Sequence, residues 1–177
     1  MNIRILFTAI LLTIASAAHA DKWTEILDTY ATDTTTRQIL LVKCTQGSNA
    51  EVEFYIKQAD NSWLLERADT AHIGEKGLGK QREGDKKTPE GNFGIKANPG
   101  TVIPYIDVTP TIYACGDRYY YNQIIDTKKK PHRCRGEHMI KYVPSYNYGL
   151  STTYNPNNIR GLGSAIFFHC TSESPST

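Results

Sequence analysis

The segment IGEKGLGKQREGDKKTPEGNF, Ile73 to Phe93, constrains this chain most, because its charges and glycines leave no face that a regular helix or strand could bury. Gly74, Gly77 and Gly79 offer positive φ or close backbone approach. Gly84-Asp85 reads as a turn, and Thr88-Pro89-Glu90-Gly91 as a second turn with proline pre-setting φ. A long, ordered, polar loop inside a small domain is more often the wall of a binding or active site than a spacer; the alternative is an ordered surface loop without a ligand. A phosphate-cradling loop is excluded, since the GxxxxGK[ST] spacing and its strand–loop–helix context are both missing.

The core must then come from short runs on either side. Asp21 to Asp33 can form a short amphipathic helix with Trp23, Ile26, Leu27 and Tyr30 on one face. Beyond it the pattern turns to strands. Gln38 to Cys44 is a continuous apolar run, Val52 to Ile56 alternates with charged residues, and Ser62 to Arg67 follows the turn cluster Ala59-Asp60-Asn61, which predicts a hairpin. Further strands are expected over Asn92 to Ile95, Val102 to Val108, Met139 to Val143 and Ser164 to His169. Short runs separated by glycine, proline and tyrosine fit a mainly β fold, a sandwich or open barrel, better than an α/β one.

The N-terminus reads as an export signal: a charged start through Arg4, an apolar stretch from Ile5 to Ile14, and Ala18-His19-Ala20 as a small-x-small cleavage site. A retained anchor is the alternative, but the apolar run is short for a membrane span and no later stretch approaches the roughly 20 residues one needs. This divides the chain into a signal peptide (1–20), a helical segment (21–36) and one domain (37–177), exported to a periplasm or to the outside of the cell. The formal net charge is +2, too small to draw the protein to nucleic acid. The one dense basic run, Lys128 to Arg135, reads as a solvated loop, with contact to an anionic polymer as the alternative.

Export to an oxidising compartment favours pairing of the four cysteines. Cys115 and Cys134 flank a Tyr-, Lys- and Pro-rich loop with little periodicity. A bridge there would stabilise by about 3 kcal/mol through chain entropy. That leaves Cys44 with Cys170, both at the ends of apolar runs. A zinc site from His132, Cys134 and His138 competes weakly, because the spacing fits no familiar finger.

The last apolar run, GSAIFFH, delivers His169 to a Ser/Thr/Pro loop, which is half of what a Cys-His or Ser-His catalyst needs. Together, KGLGKQREGDKKTPEGNF (Lys76 to Phe93) and GSAIFFH (Gly163 to His169) resemble the YkuD-type L,D-transpeptidase catalytic domain, in which a Gly-rich stretch leads into a GD-x-x-TPEG-x-F element and a later strand ends in the catalytic histidine. Tyr120 to Asn122 and Tyr154-Asn155 are weaker matches within the same span, Gln38 to the end. The resemblance implies a β-sandwich-like fold of mixed sheets and a monomer acting on peptidoglycan stem peptides. A cysteine thiolate would attack the amide carbonyl, a histidine would move the proton, and backbone N–H groups would hold the oxyanion before transfer to an amine. It implies His169 as base, a substrate wall involving Gly77, Gly79, Asp85, Thr88, Ser176 and Thr177, and no metal or organic cofactor.

The resemblance departs at one point. The family's nucleophile lies in a Ser/Thr-x-Gly-Cys element after the histidine, and only Ser176 or Thr177 could begin it here. Cys170 is a poor substitute, since adjacent strand residues face opposite ways. We expect these residues to be a C-terminally clipped piece of an active enzyme; a chain that has lost its nucleophile is the alternative. The stretch from Tyr113 to Lys141 is expected to shape the groove beside the site. A different class of function is a secreted, non-catalytic module that binds peptidoglycan or a protein partner through the Gly-rich loop and its tyrosines. A disulfide-stabilised envelope protein without a ligand is a third.

Overall fold

A computed structural model describes residues 22–95, 108–131 and 133–170. The signal segment, most of the strand expected over Val102 to Val108, His132, Ser176 and Thr177 lie outside those residues. The fold is mainly β: three small antiparallel sheets and one short helix, α1 (Lys22–Thr29). The first sheet is a meander of β1 (Gln38–Gln46), β2 (Asn49–Lys57) and β3 (Trp63–His72). The second has β4 (Ile112–Cys115) between β5 (Gln123–Asp126) and β6 (Gly136–His138), and the third pairs β7 (Gly149–Ser151) with β8 (Phe167–His169). Among the described residues every strand pair is antiparallel, whereas mixed sheets were expected; a parallel contact occurs there at an isolated bridge between Leu78 and Thr88. Short connections explain this for β1–β2, β2–β3 and β4–β5, because parallel neighbours need a crossover of a dozen residues or more.

The first hairpins follow the local turn chemistry. Asp60 Oδ1 accepts from the Ser62 amide at 3.0 Å and hydroxyl at 2.6 Å, and Asn61 takes a positive φ, which closes β2 onto β3 at the expected cluster. Helix α1 half-buries Trp23, Ile26, Leu27 and Tyr30. It is held to the meander by Lys57, whose buried Nζ donates to the carbonyls of Tyr30 and Asp33, both at 2.6 Å, and lies 5.0 Å over the Trp63 ring. The Trp63 indole N–H donates to Leu27 O at 2.9 Å. Carbonyls at and beyond a helix C-terminus lack intrahelical partners, and a cation beside them is favoured by the dipole as well.

The second and third sheets share a core. Ala114 of β4 and Met139 are buried together, and Val108, Ile112, Ile124, Tyr146, Ala165 and Phe167 pack on them. The span from Tyr113 to Lys141 supplies most of β4, all of β5 and β6, and the turns between them. Met139 to Val143 is not a strand: Met139–Tyr142 forms a 3₁₀ turn. In the β4–β6 register His138 faces Tyr113, and Ile112 N already bonds back to Thr109 O, so the chain runs out of partner backbone just where the strand would continue. Asn92 to Ile95 contributes one bridge, Ile95 to Thr152. The last strand is shorter than expected because Gly163 and Ala165 have φ of 120° and 57°, which no extended strand accommodates. No helix among the described residues is long and apolar enough to cross a membrane.

Cys115 and Cys134 form a disulfide across the second sheet. Cys44 and Cys170 do not pair. Cys44 turns its thiol back on its own hairpin, 3.7 Å from Gly47 O, while Cys170 is exposed just beyond β8.

A Cβ on Gly74 would lie 2.6 Å from Lys86 O and 2.8 Å from Lys87 C, both backbone atoms that cannot swing aside. Gly74→Ala should therefore destabilise the protein by about 1–3 kcal/mol through overpacking, lowering the thermal midpoint by roughly 2–4 °C for each kcal/mol. An unchanged midpoint in calorimetry would show that the loop backbone is not held against Gly74.

Candidate active site

The Gly-rich segment is a folded loop built around two side chains that the sequence had singled out. Asp85 is nearly buried and uses both carboxylate oxygens. Oδ1 accepts from Lys80 Nζ at 2.9 Å and Lys87 N at 3.1 Å, and Oδ2 from Gln81 N at 2.8 Å and Arg82 N at 3.0 Å. Burial alone would raise its pKa. The backbone amides of Arg82 and Gln81, then Lys80 and Lys87, outweigh it and hold the carboxyl well below the usual range. Thr88 Oγ1 accepts from Gly74 N at 2.8 Å, and Thr88 N donates to Gly77 O at 2.9 Å. Gly77 and Gly79 adopt φ of 74° and 84°. The hydrogen bonds of Asp85 and Thr88 thus lie within the loop, and their structural part is to shape its backbone.

A polar network ties this loop to the strand that carries the histidine. The Tyr121 hydroxyl donates to Glu83 Oε2 in a short hydrogen bond and accepts from Gly163 N at 3.0 Å. Burial, then the Glu83 carboxylate, raises the Tyr121 pKa, which keeps the phenol protonated as the donor. Ser164 Oγ donates to the same Glu83 oxygen at 2.9 Å, and Glu83 N donates to Gly161 O at 2.7 Å. Asn122 Nδ2 donates to the carbonyls of Tyr154 and Asn155, each at 3.0 Å, while its Oδ1 accepts from Ala165 N at 3.2 Å. Buried Asn155 closes its own loop, donating to Ile159 O at 2.9 Å and Gly163 O at 3.1 Å and accepting from Ile159 N at 2.9 Å. The Tyr120-to-Asn122 and Tyr154-Asn155 pairs, far apart in the chain, thus meet at the base of the loop.

The far end of the loop meets the same strand pair. Gly94 N donates to Thr153 Oγ1 and Thr153 N to Gly94 O, both at 2.8 Å, and Phe93 packs edge-on to Tyr154 at 5.8 Å. Thr152 N then donates to Ile166 O at 3.1 Å, one residue before β8. The two segments named from the sequence, Lys76 to Phe93 and Gly163 to His169, are therefore hydrogen-bonded to each other at Glu83, and beyond Phe93 the link runs indirectly through Gly94, Thr153 and Thr152 to Ile166.

His169 ends β8, paired with Gly149, and is partly exposed. Its Nδ1 lies 2.7 Å from Cys170 O. A carbonyl oxygen only accepts, so Nδ1 is the donor in this contact and Nε2 is the ring nitrogen left outside it. The ring stands edge-on to Tyr146 at 4.9 Å, and the Tyr146 hydroxyl donates to Glu137 Oε2 at 2.8 Å. Burial, then the Glu137 charge, raises the Tyr146 pKa, so that hydroxyl also stays protonated. Among the described residues no thiol lies within hydrogen-bonding distance of the imidazole. The zinc arrangement is not assembled either. Cys134 is bridged to Cys115, and His138 stacks on Tyr113 at 4.3 Å with Nε2 2.7 Å from Pro110 O.

What sequence reasoning missed is the part of Glu83 and Ser164. The only available signal was that Glu83 falls inside the Gly-rich segment and Ser164 inside the histidine strand, the two stretches it joins.

Because its folded pKa is depressed, Asp85 contributes stability in full above its unfolded value of about 3.9 and loses it as the pH falls through the window below. Asp85→Asn, which keeps the shape and removes the charge, should lower the thermal midpoint at pH 7. The gap between variant and wild type should shrink steadily below about pH 4. A gap independent of pH would mean that the charge is not what holds the loop.

No family model matches this chain, and no curated protein or solved structure compared with it is similar enough to count as a match.

Proposed function

We propose that this is an exported cysteine acyl-transfer domain of the L,D-transpeptidase type, acting on peptidoglycan stem peptides with His169 as general base. The observation that carries the reading is the placement of His169: its Nδ1 lies 2.7 Å from Cys170 O at the end of β8, which leaves Nε2 as the ring nitrogen available to a nucleophile. The hydrogen-bonded link between that strand and the Gly-rich loop supports it further, because it gives the base a shaped wall. Export is supported by the leader-like N-terminus and is compatible with the Cys115–Cys134 bridge.

The nucleophile would be a cysteine C-terminal to these residues, as the resemblance implies. Nε2 takes the thiol proton, the thiolate adds to the scissile carbonyl, and the tetrahedral oxyanion collapses as the leaving amine takes the proton back. An acceptor amine then attacks the thioester, gives its proton to Nε2, and the thiol is restored. In this chemistry Asp85 and Thr88 act by positioning the wall, and Gly77 and Gly79 by letting its backbone turn.

The test is an acyl-transfer assay on purified muropeptides, using the protein at the full length its gene encodes. The expected result is a thioacyl adduct visible by mass spectrometry and blocked by iodoacetamide, with the rate lowered by about 10²–10⁴-fold in His169→Ala. Affinity for sacculi that survives both His169→Ala and thiol blocking, without any adduct, would favour the non-catalytic binding module and overturn the transferase.

A further inference from the structure

A second site lies on the second sheet, built on the loops beside β4 and β6. Gly116, Asp117, Arg118, Tyr119, Arg133, Arg135 and Arg160 line a half-open cavity of about 460 Å³. Three separate stretches of chain bring four guanidinium groups to its wall. Among the described residues no ion pair engages any of them. The one carboxylate in the lining, Asp117, holds loop backbone: Oδ1 accepts from Tyr119 N at 2.9 Å and Tyr120 N at 3.1 Å, and Oδ2 from Arg135 N at 3.1 Å. Its role is to shape the loop that presents the arginines.

The backbone behind them is cross-linked. The Cys115–Cys134 bridge fastens the segment of Arg133 and Arg135, just before β6, to the end of β4 that leads to Arg118, and Gly116 N donates to Arg135 O at 2.8 Å. The Arg118 guanidinium lies 4.6 Å over the Tyr119 ring and bonds its hydroxyl, which limits its rotamers. All four arginines are exposed, so together they present a positively charged wall that an anion entering the cavity would meet.

We propose that this cavity binds a small ligand carrying linked phosphate groups, a diphosphate. A guanidinium fork matches both carboxylate and phosphate, but each phosphate presents three acceptor oxygens and more charge, which suits several forks converging on one ligand. The cavity volume falls within the range of about 300–1,000 Å³ found for small-molecule sites, larger than a single phosphate would fill. The basic run from Lys128 to Arg135, read from sequence as a solvated loop, supplies two of the four arginines; Arg118 and Arg160 come from elsewhere. The site stands apart from His169 and does not depend on the acyl-transfer reading.

The test is calorimetric titration of the oxidised protein with inorganic pyrophosphate, orthophosphate and citrate. Pyrophosphate should bind more tightly than either of the others. Arg133→Ala, Arg135→Ala and Arg160→Ala should each weaken it by about tenfold, with the fold checked by circular dichroism and His169→Ala unaffected. Reducing the disulfide should weaken binding as well. Vesicles carrying a lipid diphosphate headgroup would then show whether the ligand is soluble or membrane-borne, by competing with pyrophosphate or failing to. Absence of pyrophosphate binding, citrate binding as tightly, or affinity indifferent to all three arginine substitutions would each overturn the proposal.

Discussion

The Tyr121 hydroxyl, placed between the Glu83 carboxylate and the Gly163 amide, is the contact on which the arrangement of the site depends. It joins three pieces of chain that share no sheet: the Gly-rich loop, the turn before β5 and the segment leading to β8. The first is too polar and too rich in glycine to be held by apolar burial, and from the other two little beyond Tyr121 and Ala165 is buried or packed on the core. In such a place hydrogen bonds set the geometry, because a buried donor or acceptor left without its partner is costly. Asn122 and Asn155 extend the same logic. Their amides satisfy backbone groups that no strand pairs, and they let Gly163 and Ala165 take the positive φ values that turn the chain into β8.

Much of this was legible in the sequence, for identifiable reasons. The β2–β3 hairpin was signalled by Ala59-Asp60-Asn61 because turn chemistry is local, and the helix by the spacing of Trp23, Ile26, Leu27 and Tyr30. The Gly-rich segment was recognisable as an ordered loop because nothing in it could be buried as a helix or strand. The second sheet was not legible. Its strands are short, β6 is interrupted by charges and a glycine, and their pairing is set by a disulfide and by contacts to Met139 that no local period reveals. The strand expected over Met139 to Val143 failed for a non-local reason as well, since the neighbouring strand had already ended.

The candidate site divides in the same way. His169 was visible because it closes an alternating run. Asp85 and Thr88 were visible as residues of the loop, but only the folded structure shows their side chains turned inward to shape it. Glu83 and Ser164 act across a long sequence separation, and a charge inside a charged segment gives no sign of which partner it will meet. The arginine cavity is the clearest such case: Arg118 and Arg160 are unremarkable where they stand in the chain and become informative only beside Arg133 and Arg135.

The central claim, that one phenolic hydroxyl couples the Gly-rich loop to the histidine strand, is tested most directly by amide hydrogen exchange in Tyr121→Phe, which removes the hydroxyl and keeps the ring. The account predicts that amides from Gly77 to Thr88 and from Gly163 to His169 lose protection together while the β1–β2–β3 meander is unchanged. Loss confined to one of the two segments, or protection equal to wild type in both, would contradict it.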